Sequence, residues 1–299
     1  MKKTVFCLVI FFIFNVLCIF PKNFQPVVLN SAHVRTITSK VVEGMEYELF
    51  IAIPPGYDEN SKKTFPVVYM LDAYEVFGLQ LQTYQQLIFF KTVPPMILVG
   101  INYKIKNKSF YDGLKDYFYI RSRDFTPTHL TLQQIIEKHG KGFANYVPVS
   151  GGGEKFLRFL KEELFPFIES EYRADKNDRG ILGYSLGGLF TTYVLFYDPS
   201  VFKKVFIGSP ALWWDDKVIF SFYDEKKLND LSEPIKVYLS VGELEGKGLQ
   251  NSWEDLKNFL EQKNHAKIQL ITERLPGEYH LTGIGLAHSR AFRRLYEKK

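Results

Sequence analysis

Hydrophobic and polar positions change their period along this chain. Residues 33–39 and 47–53 alternate apolar with polar side chains. A period of two predicts strands with one solvated face. Pro54, Pro55, Gly56 and Tyr57 then break the pattern. The next apolar runs are short and nearly continuous: residues 65–71, 95–101, 180–183, 205–208, 235–241 and 268–272. Such runs predict parallel strands buried on both faces. Between them Phe156, Phe159, Leu160, Leu164 and Phe167 recur at helical spacing. Residues 186–196, 253–260 and 284–296 also read as helices. Strand–helix alternation after two antiparallel edge strands predicts an α/β fold with a mostly parallel central sheet flanked by helices.

Residues 103–153 interrupt this alternation. The stretch is too long for a plain connection. It carries Lys104, Lys106, Lys108, Arg121 and Arg123 among aromatic residues. It reads as an insertion over one edge of the sheet, bordering a ligand site. Gly151, Gly152 and Gly153 lack the lysine and hydroxyl partners of a phosphate loop, so they read as a flexible hinge before a helix.

The first twenty residues differ from the rest. Lys2 and Lys3 precede an apolar run broken only by Asn15. A basic flank and such a run predict that residues 1–22 are a secretory signal peptide. An N-terminal membrane anchor through residues 4–20 is the alternative. Residues 23–299 then form the catalytic domain of an exported protein, periplasmic or secreted. Both cysteines, Cys7 and Cys18, fall inside the run. The exported part therefore has no disulfide, thiolate metal site or cysteine nucleophile. Of the 299 residues, 46% are hydrophobic and 24% charged, which is ordinary globular usage. The net charge of +5 is mild and dispersed, so nucleic acid is not an expected partner.

The sharpest local signal is Gly183-Tyr184-Ser185-Leu186-Gly187-Gly188. An apolar strand leads in and a helix leads out, the setting of a nucleophile elbow. Ser185 is the predicted nucleophile. The Leu186 N–H opens the helix and points at a developing oxyanion. A second donor is expected from the loop after the first parallel strand, at Ala73 or Tyr74. A serine needs a base. Of the later histidines, His265 precedes its strand and His288 lies within the last helix. His280 follows the last strand and is the predicted base. The acid should follow a strand between serine and histidine. Glu243 and Glu245 both qualify, with Asp215 or Asp216 as a further pair.

These stretches resemble the esterase D family of the α/β-hydrolases, the branch that includes siderophore esterases. The resemblance runs over most of residues 33–297. It rests on residues 68–72, 123–127, 156–172, 183–188, 209–214, 241–245 and 276–280. It implies an α/β-hydrolase fold, with Ser185 as nucleophile and His280 as base. It also implies Glu245 as the acid, because the fourth position of the family's Gly-x-x-Asp falls there. Relatives carry glycine where this chain has Ala73. That predicts a strained Ala73 and a looser oxyanion hole if the position needs a positive φ.

The expected activity is hydrolysis of a small-molecule carboxylic ester, such as a siderophore lactone or an acylated sugar. No cofactor or metal is expected. Transfer of the acyl group to an alcohol by the same triad is the first alternative. A non-catalytic binding module is the second. Arg121, Arg123, Trp213 and Trp214 are candidates for the substrate cleft.

Overall fold

The computed structural model describes residues 29, 31–57, 61–105 and 110–297. The expected signal or anchor, both cysteines, Lys106 and Lys108 lie outside the described residues. Eight strands form one sheet: β1 (Ala32–Thr38), β2 (Glu46–Ala52), β3 (Phe65–Met70), β4 (Ile97–Tyr103), β5 (Ala174–Tyr184), β6 (Lys204–Gly208), β7 (Ile235–Gly242) and β8 (Ile268–Leu275). Their spatial order is β1-β2-β4-β3-β5-β6-β7-β8. β1 pairs antiparallel with β2, and β2 with β4. All remaining neighbours are parallel.

The helices follow in chain order. They are α1 (Ala73–Phe89), α2 (Phe110–Phe125), α3 (Leu132–His139), α4 (Lys141–Ala144), α5 (Gly153–Phe159), α6 (Phe165–Glu171), α7 (Leu186–Tyr197), α8 (Glu225–Asn229), α9 (Lys247–Lys263) and α10 (His280–Tyr296). A single π-turn, Leu160–Leu164, joins α5 to α6. Pro166 sits in the first turn of α6, where its missing N–H costs least. Ser31 onward forms one compact unit. Among the described residues, no helix is long and apolar enough to cross a membrane.

Two apolar layers explain the continuous runs. Val67, Tyr69, Ile97, Val99, Ile181, Val205, Val237 and Leu239 face one layer, which α5, α6, α7 and α9 complete. Val68, Met70, Leu98, Leu182, Phe206 and Tyr238 face the other, covered by α1 and α10. A strand buried on both faces has no polar position to alternate with. β1, at the outer edge, keeps its exposed positions.

Four findings differ from the sequence expectations. The run 268–272 is not buried on both faces: it lies in β8, the second edge strand, whose residues are mostly half-buried. β5 has eleven residues, more than the expected 180–183. Its first half, ADKNDR, is polar because it reaches beyond the covered part of the sheet, where its pairing with β3 shifts register. The insertion does not cover an edge. It leaves the sheet from β4, which lies inside the strand order, and α2 packs on α5 and α7. The triple glycine is no hinge. Gly151 N donates to Thr126 Oγ1 at 2.8 Å, Gly152 N to the Arg123 carbonyl at 2.8 Å and Gly153 N to the Thr126 carbonyl at 3.0 Å. A Cβ on Gly152 would sit 2.9 Å from the Arg123 carbonyl oxygen, so the run lets two backbones touch.

Phe156 carries much of the packing between insertion and sheet. Its ring lies 5.0 Å from Phe190, 5.7 Å from Phe125 and 5.8 Å from Tyr47, fully buried. Phe156→Ala is expected to lower unfolding free energy by about 3–5 kcal/mol. Urea denaturation of both proteins measures the difference.

Candidate active site

Strand register brings the chemistry to one row. Tyr184, Gly208 and Ser240 are aligned partners across β5, β6 and β7. The residues that follow them therefore emerge side by side at the carboxyl ends. Ser185 is one of them. Its backbone has φ 60° and ψ −117°, a strained conformation for a residue with a side chain. Two bonds hold it there. Ser185 N donates to the Gly208 carbonyl at 2.9 Å, and Ala211 N donates to the Ser185 carbonyl at 3.1 Å. Any Cβ on Gly183 would overlap the Gly187 carbonyl, which is why this turn needs glycine.

His280 is the first residue of α10 and keeps a partly exposed ring. Its Nδ1 lies 2.8 Å from Glu245 Oε2. That bond assigns the proton to Nδ1 and leaves Nε2 as the free acceptor. Glu245 has a fully buried carboxylate. Its Oε1 accepts from Gly242 N at 2.8 Å, Ser209 Oγ at 2.6 Å and Tyr184 Oη at 3.1 Å. Tyr184 Oη also lies 2.9 Å from the His280 carbonyl, so its single proton has two acceptors to choose between. Burial pushes the Glu245 carboxyl up. The bonds from His280, Ser209 and Gly242 outweigh burial and hold it below the ordinary carboxylate range. Tyr184 and Ser209 were not singled out from the sequence. The signal was there in their places, beside the nucleophile and directly after a buried strand.

The competing acids are occupied elsewhere. Glu243 is exposed, and its Oε2 accepts from Gly277 N at 2.9 Å, bracing the loop that carries His280. Asp215 and Asp216 both pair with Lys138 of α3. The other histidines also lie apart. His265 Nε2 is 3.2 Å from Asn229 Oδ1. His288 is fully buried, with Nδ1 2.8 Å from the Ile284 carbonyl. Burial pushes its imidazole down to about 4.

The expected strain at Ala73 is absent. The left-handed residue is Asp72, at φ 53° and ψ 38°, and Ala73 is already the first helical residue of α1. Asp and Asn tolerate that region best after glycine. The first N–H groups of a helix have no acceptor within it. Those of Ala73 and Tyr74 in α1 and of Leu186 in α7 are therefore unpaired within their helices. Close approach joins the two helix starts: Asp72 Oδ2 lies 3.3 Å from where a Gly187 Cβ would be.

Several cleft candidates have structural partners. Arg123 Nε pairs with buried Asp124 at 2.7 Å, and Asp124 also accepts from Tyr47 Oη at 2.8 Å. Arg121 forms a bidentate pair with Asp72, with only 11% of its side chain exposed. Lys104 pairs with Glu46 at 3.1 Å. Of the insertion's five cations named from the sequence, the three described ones are thus each paired with a neighbouring carboxylate. Trp214 is fully buried and donates to Thr128 Oγ1 at 3.1 Å. Trp213 is half-buried, with its ring 4.9 Å from Phe143 and 4.8 Å from His139. It lies in the segment after β6 and ties the insertion to the carboxyl end of that strand. Among the described residues, no group of three or more His, Cys, Asp or Glu could hold a metal ion.

The chain is similar to known esterases. The family model described as "Putative esterase" matches residues 133–294. Ferri-bacillibactin esterase BesA of Bacillus subtilis (strain 168) is 32% identical over 262 residues, covering 84% of this chain and 85% of that protein. The crystal structure of the BES protein from Bacillus cereus superposes with a TM-score of 0.77 at 29% identity, over 92% of this chain and 98% of that one. The siderophore hydrolase EstA from Aspergillus nidulans has a TM-score of 0.71 at 21% identity, over 91% and 97%, and so shares the fold.

The depressed His288 predicts acid sensitivity. Unfolded, its pKa is about 6.5, so below that pH the unfolded chain binds the extra proton. Its contribution is present above about 6.5 and is lost as pH falls towards 4. The whole span is worth about 3 kcal/mol. His288→Gln is expected to flatten the plot of unfolding free energy against pH in that window, measured by urea denaturation at successive pH values.

Proposed function

Since the chain belongs to the family described as "Putative esterase", we propose that this carboxylic-ester hydrolase works through an acyl-enzyme on Ser185. Siderophore lactones are the proposed substrate class. The observation that carries the chemistry is the strained Ser185 elbow beside a histidine whose Nδ1 is engaged by a buried carboxylate at 2.8 Å. Support for the substrate class comes from the relatives, one described as a ferri-bacillibactin esterase and one as a siderophore hydrolase.

In this reading Ser185 Oγ attacks the ester carbon while His280 Nε2 takes its proton. Glu245 holds the ring in the required tautomer and stabilises the imidazolium. The negative oxygen of the tetrahedral intermediate accepts from Leu186 N–H and from Ala73 or Tyr74 N–H. Each such donor contributes about 10²–10³ in rate. His280 then gives its proton to the departing alkoxide. Water, deprotonated by His280, releases the acid and restores the serine. Tyr74, Leu244, Tyr279 and Leu281 are exposed and adjoin catalytic residues in sequence. They supply an apolar collar for a large substrate with planar parts. The apolar run at residues 4–20 supports export as part of the same reading.

The test is hydrolysis of p-nitrophenyl acetate and of bacillibactin, with and without iron, products followed by mass spectrometry. Ser185→Ala is expected to lower kcat by roughly 10³–10⁶. Glu245→Gln should lower it by about 10²–10⁴ and Glu243→Gln by less than about tenfold, if the acid is Glu245. Turnover that survives in Ser185→Ala would remove the acyl-enzyme. Turnover of acylated sugars but not of bacillibactin would replace the substrate class.

A further inference from the structure

We propose that Arg121 is the positioning residue of the oxyanion hole: its guanidinium holds the Asp72 carboxylate away from the N–H groups that the oxyanion needs. The proposal rests on the reading of Ser185 as nucleophile.

Asp72 stands at the N-cap of α1. An aspartate there ordinarily turns its carboxylate onto the second or third helical N–H. Here it makes no side-chain cap bond. Its oxygens are taken instead from the far side. Arg121 Nε lies 2.6 Å from Oδ1 and Nη2 lies 2.7 Å from Oδ2, with Tyr117 Oη 2.9 Å from Oδ1. The same Nη2 reaches the Tyr184 carbonyl at 3.3 Å. One guanidinium thus touches the residue before Ala73 and the residue before Ser185. Those positions introduce the two halves of the oxyanion hole. The Arg121 guanidinium carbon lies 5.5 Å from the centre of the Phe125 ring, which fixes its plane.

Both donors of the clamp, Tyr117 and Arg121, come from α2, inside the insertion. Without Arg121 the Asp72 carboxylate would keep only the Tyr117 hydroxyl, on Oδ1, and Oδ2 would lose its donor while nearly fully buried. The nearest unsatisfied donors are the first N–H groups of α1. Capping them would place a negative charge where the transition state develops one. The bidentate fork matters, because a lysine gives a point charge and cannot span both oxygens and the carbonyl.

The test is kinetic, with stability measured in parallel. Arg121→Met is expected to lower kcat for p-nitrophenyl acetate by about 10²–10³ with little change in KM. Its affinity for phenylboronic acid, which forms a tetrahedral adduct on serine, should fall in parallel. Arg121→Lys should fall between. Asp72→Gly keeps the left-handed backbone and removes the carboxylate. The double variant Arg121→Met/Asp72→Gly should therefore recover at least about tenfold of the lost kcat. If Arg121→Met does not fold, Arg121→Lys and the double variant carry the same comparison. A loss confined to KM, an unchanged boronate affinity or a double variant no better than Arg121→Met would each overturn the proposal. Failure of the serine reading looks different: Ser185→Ala would then keep its turnover whatever happens at Arg121.

Discussion

A buried carboxylate needs every oxygen engaged, and Glu245 meets that condition by drawing four strand exits together. Gly242, at the end of β7, supplies a backbone N–H. Ser209, after β6, supplies a hydroxyl. Tyr184, at the end of β5, brings a second hydroxyl into contact, and His280, after β8, supplies an imidazole ring. An unpaired charge at this depth would cost several kcal/mol. The native arrangement of the catalytic end is therefore tied to the satisfaction of one side chain. Few side-chain packings around this carboxylate leave it satisfied, so the position of His280 is over-determined.

The opposite half of the site is organised by a second buried charge. Asp72 is held by Arg121 and Tyr117, both from α2. The insertion is thereby bonded to the turn that follows β3. Its packing on Trp213 and Trp214, through His139 and Phe143, keeps it seated over the carboxyl ends. In the proposed mechanism the two anionic centres have opposite relations to the chemistry: Glu245 faces a base that gains positive charge, and Asp72 is held from an oxygen that gains negative charge.

Local strain fits the same plan. Ser185 and Asp72 both have positive φ, and both open a helix. Each conformation costs about 1–3 kcal/mol. Hydrogen bonds to neighbouring strand exits hold the first, and a bidentate ion pair holds the second. The result is two neighbouring helix starts whose first N–H groups are unpaired within their helices.

The amino-acid pattern by itself determined the sheet's character and the direction of the search. Continuous apolar runs pointed to strands covered on both faces, which holds for all of them but the edge strand β8, and G-x-S-x-G between a strand and a helix required a turn that presents Ser185. His280 followed from its place after the last strand. These are local properties, carried by the period of the side chains and by backbone sterics. The residue pattern left Glu243 and Glu245 both open, the family resemblance ranked Glu245 first, and tertiary structure gave the two their different partners. Both sit in the same turn, and only the register of β7 against β8 aims one at His280 and the other at Gly277. The partners of Arg121 and Arg123, and the close packing of Gly151–Gly153 on α2 and the turn after it, were hidden for the same reason. Pairings between residues tens of positions apart leave no periodic trace in a single chain. They depend on which strand exits meet, and the fold fixes that.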